Sequence, residues 1–473
     1  MTDEAQSVTR PVLMAKAAAP FALALAIWFA PVPAGLTIAA WHLFAVFVAS
    51  IFAVLLGAFP LLTSTMLAVA AVVLTGTISA AQAFSGFANA SVLLVVIAFL
   101  VAQAVVKSGL GHRISLFMVS HFGRSSLGLA YSIVLTDAVI APAFPSNTAR
   151  GGVLYPVVLS VAQGSGSRPE DPEGRRLGAY LMYCGMASLA VSSALWMTAT
   201  SANPIGIQIV RDYGVPISFG NWFLTASVPA LLAILLLPLV IARLQPPGVT
   251  ATPEAPAAAR AAMAAMGPLK RDEKITAVAF ALMVAGWIFA DHLKLNVTSI
   301  AFAGLGVLLL TNVLTLDDIA KQGDTLATFL WLAVLFALSG QLNELGFMEY
   351  AGQRLAGGLS GLSWPVTYVT LILLYVAIHY MFVSQSSQVL ALLGVFLDVG
   401  IRGGVPAPLM AFGLLFASSY FSVITPQAGS QNVIFVASGY LTQRELYRLG
   451  FLTTLFFLAV FLSVGTAWIL AIH

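Results

Sequence analysis

Long apolar runs follow one another from residue 17 to residue 471. Most match the roughly 20 residues that a helix needs to cross a ~30 Å hydrocarbon layer. The pattern predicts spans over 17–31, 36–57, 60–76, 88–107, 177–200, 222–244, 274–291, 297–313, 325–343, 408–425 and 446–471, eleven transmembrane helices in all. Alternating strand patterning with regular turns is absent, which argues against a β-barrel.

Two longer apolar stretches do not fit as single spans. Residues 127–161 are broken by Pro145-Ser146-Asn147-Thr148, and residues 364–399 by Ser384-Gln385-Ser386-Ser387. Lipid tolerates such polar breaks only where protein surrounds them or they line a cavity. Each stretch therefore reads as a re-entrant hairpin that enters the membrane halfway and returns. Two further polar islands, Thr198-Ala199-Thr200-Ser201-Ala202-Asn203-Pro204 and Thr425-Pro426-Gln427-Ala428-Gly429-Ser430-Gln431-Asn432, interrupt the helices that follow each hairpin. Paired interruptions in two halves are the sequence mark of a transporter's binding site.

The order of features divides the chain. Residues 1–35 hold an N-terminal segment and the first helix, 36–244 a first repeat, 245–273 a polar cytoplasmic linker, and 274–473 a second repeat. Each repeat has five helices and one hairpin, an odd number of crossings, so the second copy is expected to be inverted. The positive charges orient it. With the N-terminus in the cytoplasm, sixteen of the 21 Lys and Arg residues fall on the cytoplasmic side and four outside, with Arg150 left in a hairpin. That asymmetry follows the positive-inside rule. It places the protein in the cell (inner) membrane with its C-terminus outside.

Composition agrees: 60% of residues are hydrophobic and 8% charged, against about 25% charged in soluble domains. The single cysteine, Cys184, excludes an internal disulfide framework. Zinc-type His/Cys spacing, a P-loop and a GxSxG elbow are absent, which argues against an ATP-driven pump or a membrane hydrolase, and no nucleic-acid partner is expected.

A helix that begins inside the membrane offers free N–H groups and a positive dipole end, which favour a carboxylate. Two opposed tips make two anion clamps, so the expected ligand is a dicarboxylate. The candidate binding residues are Ser146, Asn147, Thr148 and Arg150 in the first hairpin, Ser384, Gln385 and Ser386 in the second, and Thr200, Asn203, Thr425, Pro426 and Gly429 at the helix breaks. Arg150 has two readings, a carboxylate ligand or an ion pair with Asp137. Asp137, His379 and Asp398 are candidates for proton coupling; for His379 the alternative is a structural hydrogen bond.

These residues resemble the divalent anion/sodium symporter family over nearly the whole chain. Ala83-Phe84-Ser85-Gly86-Phe87-Ala88-Asn89, residues 145–152, Gly340-Gln341-Leu342-Asn343-Glu344-Leu345-Gly346-Phe347 and Ala437-Ser438-Gly439-Tyr440 carry the likeness. It is nearest to the branch of 2-oxoglutarate/malate translocators and citrate or tartrate/succinate antiporters. The resemblance implies eleven helices with two hairpins, a homodimer, and an elevator-type motion. It also implies carboxylate contacts at Ser146-Asn147-Thr148 and, in sodium-coupled relatives, a sodium site there, which makes Ser146 and Asn147 the candidate sodium ligands. The chain departs from the sodium pattern in the second hairpin. Ser384-Gln385-Ser386 replaces a second Ser-Asn-Thr, and Tyr380 and Val383 before it make a poor cation cage.

Carrying a dianion against an interior-negative potential costs about 4.6 kcal/mol per 100 mV, which favours exchange of one dianion for another. The sequence thus points to an exchanger of di- or tricarboxylates, with no other cofactor. Sodium- or proton-coupled uptake, and a non-transporting channel-like or regulatory membrane protein, remain as alternatives.

Overall fold

The computed structural model describes residues 10–356, 361–382 and 384–473; Val383 lies outside them. Among the described residues all regular elements are helical, with one isolated bridge between Ser125 and Ala251. Among the described residues, eight helices are long and apolar enough to cross a membrane, and Lys16–Trp28, Leu61–Leu74, Val297–Leu310 and Ala407–Val423 are shorter apolar helices. Two of the eight, Ser126–Ala143 and Trp364–Met381, are the first arms of the expected hairpins. Arg271–Ile288 completes the expected set; it opens on charge and is apolar beyond its first turn.

The two halves carry the same order of elements. Ile38–Leu55 and Leu61–Leu74 stand where Arg271–Ile288 and Val297–Leu310 stand later. Short helices Ala80–Ala83 and Leu316–Ala320 follow, each begun by a capping box, Ser79 with Gln82 and Thr315 with Asp318. Then come Ala90–Ser108 and Gly323–Glu344. Gly109 and Gly346 follow these two helices at φ +80° and +79°, a left-handed conformation that a Cβ would strain. Each chain turn leads into an amphipathic helix, Leu110–Phe122 or Phe347–Ala356. The span pattern did not include these two helices, because their apolar face is only a stripe. It also missed Ala255–Ala265 in the linker, which packs on Leu110–Phe122.

The helix Arg175–Leu195 runs through the centre and is buried along its whole membrane-length window. Its face of Gly, Ala and Ser residues lets neighbouring backbones come close. The two arms of the first hairpin, Phe219–Leu244 and Ala407–Tyr420 pack around it. The Ser85–Ala88 turn presses on Gly323–Glu344, and a Cβ at Gly86 would lie 1.9 Å from the Ala333 carbonyl oxygen.

At the ends of the spans, ion pairs tie distant segments. Lys107 meets Asp318 at 2.6 Å. Arg113 donates to Glu273 at 2.6 and 3.1 Å and to the Gly267 carbonyl at 3.0 Å. The Arg113 hydrogen bonds hold the Glu273 carboxyl below its ordinary range despite its burial. Arg175 forks onto Glu445 at 2.9 and 3.0 Å.

Candidate functional site

Both hairpins turn in the same way. Ser146 (φ −140°, ψ 119°) and Ser384 (φ −142°, ψ 123°) cap their second arms. The Ser146 hydroxyl accepts from Ala149 N at 3.2 Å, and the Ser384 hydroxyl from Ser387 N at 3.3 Å. The second arms are Asn147–Gly164 and a continuous helix over 385–402, with a π-helical segment Val389–Leu393 in the latter. Each arm leaves its first backbone N–H groups, at Asn147 and Thr148 and at Gln385 and Ser386, without an intrahelical acceptor.

The two tips touch. Asn147 Nδ2 donates to Gln385 Oε1 at 3.1 Å across 238 positions. Gln385 Nε2 is held by the Ser418 and Ser419 carbonyls at 2.8 and 3.3 Å. Each tip also meets the broken helix of the other half: Thr148 and Ser430 share a 2.5 Å hydroxyl contact, and Ser201 and Ser386 one of 3.1 Å.

The two breaks are stapled alike. Asn203 Nδ2 donates to the carbonyls of Ser193 (2.8 Å) and Trp196 (3.2 Å), ten and seven residues back. Asn432 Nδ2 donates to those of Ser422 (2.7 Å) and Thr425 (3.0 Å), again ten and seven residues back. These bonds satisfy carbonyls that the broken helices would leave bare in lipid.

A cavity of about 260 Å³ lies at the meeting point. Ser146, Asn147, Thr148, Thr200, Ser384, Gln385, Ser386 and Gly429 line it, as the sequence led one to expect. Arg150, Asn203, Thr425 and Pro426 do not. Ser201, Ser430 and Gln431 line it and were missed as individual residues, although each lies in a polar island already visible in the sequence. Phe99, Thr328 and Trp331 close it from the helices Ala90–Ser108 and Gly323–Glu344; no local signal distinguished them from other apolar-run residues. Gln431 is 1% exposed, and its Nε2 has no hydrogen-bond partner, so it brings an unused donor to the cavity.

Arg150 is fully buried beneath the first tip. It donates to Asn147 Oδ1 (2.5 Å), Ser193 Oγ (2.7 Å), Ser192 Oγ (3.0 Å) and the Leu189 carbonyl (3.0 Å). Its Nε lies 3.5 Å from Asp137 Oδ1, and Ser192 Oγ donates to Asp137 Oδ2 at 2.6 Å. The arrangement is the ion pair of the two sequence readings. It orients Asn147 so that Nδ2 faces the cavity. Asn147 Oδ1, the atom a sodium ion would need, already accepts from Arg150 and from Ser193 at 2.7 Å, and Ser146 Oγ is engaged as a cap. With a guanidinium this close, Ser146 and Asn147 do not fit a sodium site.

A helical membrane protein whose two broken hairpins meet at a polar cavity belongs to the class of secondary transporters. Within that class, the chain belongs to the family described as "Sodium:sulfate symporter transmembrane region", matched over residues 12–473. It is 37% identical over 449 residues to the "Putative malate transporter YflS" of Bacillus subtilis, covering 94% of each chain. It is 35% identical over 443 residues to "Dicarboxylate transporter 2, chloroplastic" of Spinacia oleracea, covering 93% of this chain and 78% of that one. It is 30% identical over 472 residues to the "L-tartrate/succinate antiporter" of Shigella flexneri, covering 95% and 96%. The solved YdaH transporter of Alcanivorax borkumensis shares the fold, with a TM-score of 0.58 at 17% identity over 82% of this chain and 87% of that one.

Proposed function

We propose that the protein exchanges di- or tricarboxylates across the cell membrane, holding the two ends of the substrate between its two hairpin tips. The observation that carries this reading is the convergence of both tips and both helix breaks on one cavity. Its size lies below the roughly 300–1,000 Å³ of pockets for drug-sized ligands, which suits a small metabolite. The free N–H groups and the Gln431 amide would bind carboxylates in place of the tip-to-tip bond, and named relatives transport malate, other dicarboxylates, or tartrate and succinate.

Alternating access follows from the matched halves, which we take as inverted repeats moving as an elevator within a homodimer. The shared element order and the identical asparagine staples support the repeats; the motion and the homodimer are what the family resemblance implies. The ion pairs support the sidedness: Lys107–Asp318, Arg113–Glu273 and Arg175–Glu445 each join two groups that the charge rule puts in the cytoplasm, and Arg402–Glu349 joins two that it puts outside. Exchange is favoured over sodium symport because the first tip's oxygens are engaged by Arg150 and its neighbours.

Counterflow in proteoliposomes tests the proposal. Labelled succinate should enter only vesicles preloaded with a dicarboxylate, with or without sodium. Uptake into empty vesicles driven by a sodium gradient would contradict it.

A further inference from the structure

His379 lies at the end of the first arm of the second hairpin and is fully buried. Its Nδ1 is 2.7 Å from Gln388 Oε1, and its Nε2 is 2.8 Å from the Ala428 carbonyl oxygen. Gln388 Nε2 in turn donates to the Tyr375 carbonyl at 2.7 Å, which fixes which end of the amide faces the histidine. Both ring nitrogens therefore face acceptors. A neutral imidazole has one donor and one acceptor nitrogen, so every neutral arrangement leaves two lone pairs opposed at one of these contacts. Turning the Gln388 amide only moves the conflict to the Tyr375 carbonyl. An imidazolium, with two donors, satisfies all three contacts. It also stacks on Phe421, with centroids 3.6 Å apart and planes 19° apart, a geometry suited to a cation over a π face.

The surroundings offer such a charge no partner: the contacts favour the charged ring, burial without a counter-charge favours the neutral one, and in the empty site the ring stays neutral with one contact unmade. The titratable groups on its own arm are Tyr368, Tyr375 and Tyr380. The second arm over 385–402 carries only Asp398 and Arg402, beyond residue 393 and paired with each other at 2.7 Å; the broken helix over 421–436 carries none, and Ala407–Tyr420 carries only Tyr420. Asp137 and Arg150 in the other hairpin are engaged with each other. The missing negative charge has a source next door. Ala428, whose carbonyl meets His379, precedes Gly429 in the cavity wall, and Gln388 lies one turn beyond Gln385.

We propose that His379 binds one proton from solvent together with a dicarboxylate dianion and releases it when the substrate leaves, which halves the charge carried with the substrate. This rests on the carboxylate-clamp reading above. Empty and loaded sites then differ by a proton as well as by the acid.

The test is proton uptake by the purified full-length protein on adding succinate in weak buffer near neutral pH, where free succinate holds no proton, read with an indicator dye beside equilibrium binding. The native protein should take up about one proton per succinate, and its affinity should fall about tenfold per pH unit once His379 is neutral in the empty protein. His379→Gln should bind succinate with no uptake and little pH dependence. Gln388→Glu, which sets a carboxylate against the ring, should hold the proton in advance and also abolish uptake. Succinate binding without uptake by the native protein overturns the inference alone, as does full uptake by His379→Gln, which would place the proton elsewhere. Failure of the native protein to bind any dicarboxylate over the pH range overturns the clamp reading and this inference with it.

Discussion

The two hairpins share a backbone and differ in what braces it. At matched positions 238 apart, Asp137 and Arg150 of the first become Tyr375 and Gln388 of the second, Asn147 becomes Gln385, and Ala141 becomes His379. The first tip rests on a buried ion pair whose guanidinium is bound by two hydroxyls, an amide oxygen and a carbonyl. The second rests on a neutral amide bonded to a carbonyl and a histidine. A buried ion pair has one low-energy setting, since parting it strands a charge. A neutral brace with a histidine has two, separated by a proton. One tip therefore rests on a fixed, internally balanced pair of charges, and the other, on the proposal above, on a charge that comes and goes with a proton.

The largest effect should come from breaking the fixed brace. Arg150→Met strands Asp137 and should cost about 3–5 kcal/mol of stability, read by thermal unfolding in detergent. The double change Asp137→Leu with Arg150→Met should recover most of it. Gln388→Leu in the other hairpin should cost less, about 1–3 kcal/mol; equal losses would erase the contrast between the two braces. Next come the tips themselves. Asn147→Ala and Ser386→Ala should each weaken dicarboxylate binding by about 10- to 100-fold, the range for a hydrogen bond to a charged group. Unchanged affinity for either variant in equilibrium binding would remove that tip from the site.

Much of this was legible in the sequence because lipid makes polar breaks conspicuous. The islands at residues 145–148, 384–387, 198–204 and 425–432 gave the hairpins, the breaks and eight of the residues that line the cavity. Periodicity does not reveal who faces whom. Asn203 stands in a polar island and Arg150 just beyond one, like true lining residues, yet they turn inward to satisfy backbone and side-chain groups. Phe99 and Trp331 sit in ordinary apolar runs and reach the cavity through helix packing alone. The amphipathic helices after Gly109 and Gly346 escaped a search for full-length spans for the same reason: their partners, not their hydropathy, define them.

Smaller effects refine the comparison between the halves. Asn203→Ala and Asn432→Ala remove equivalent staples, and each should lower stability by a similar amount, about 1–2 kcal/mol, read as matching drops in the unfolding midpoint. Loss confined to one variant would separate the two breaks. The smallest effect lies at the Arg175–Glu445 pair. Burial pushes the Glu445 carboxyl up, but its bonds to Arg175 and Thr442 win and hold it to about 2. A carboxyl depressed in the folded state contributes its stability above its unfolded pKa, ~4.3, and loses it as pH falls toward about 2. Glu445→Gln should therefore flatten the fall in stability over that window, by about 1 kcal/mol or less, in unfolding curves taken at a series of pH values.

The central claim is that both tips grip one substrate, one carboxylate each. Competition between succinate and butyrate for labelled succinate exchange in proteoliposomes measures it, because the two acids differ by one carboxylate. The native protein should prefer succinate strongly, and Asn147→Ala and Ser386→Ala should each lose most of that preference while their weaker binding of butyrate changes little. A preference for succinate that survives in both variants would contradict the two-ended clamp.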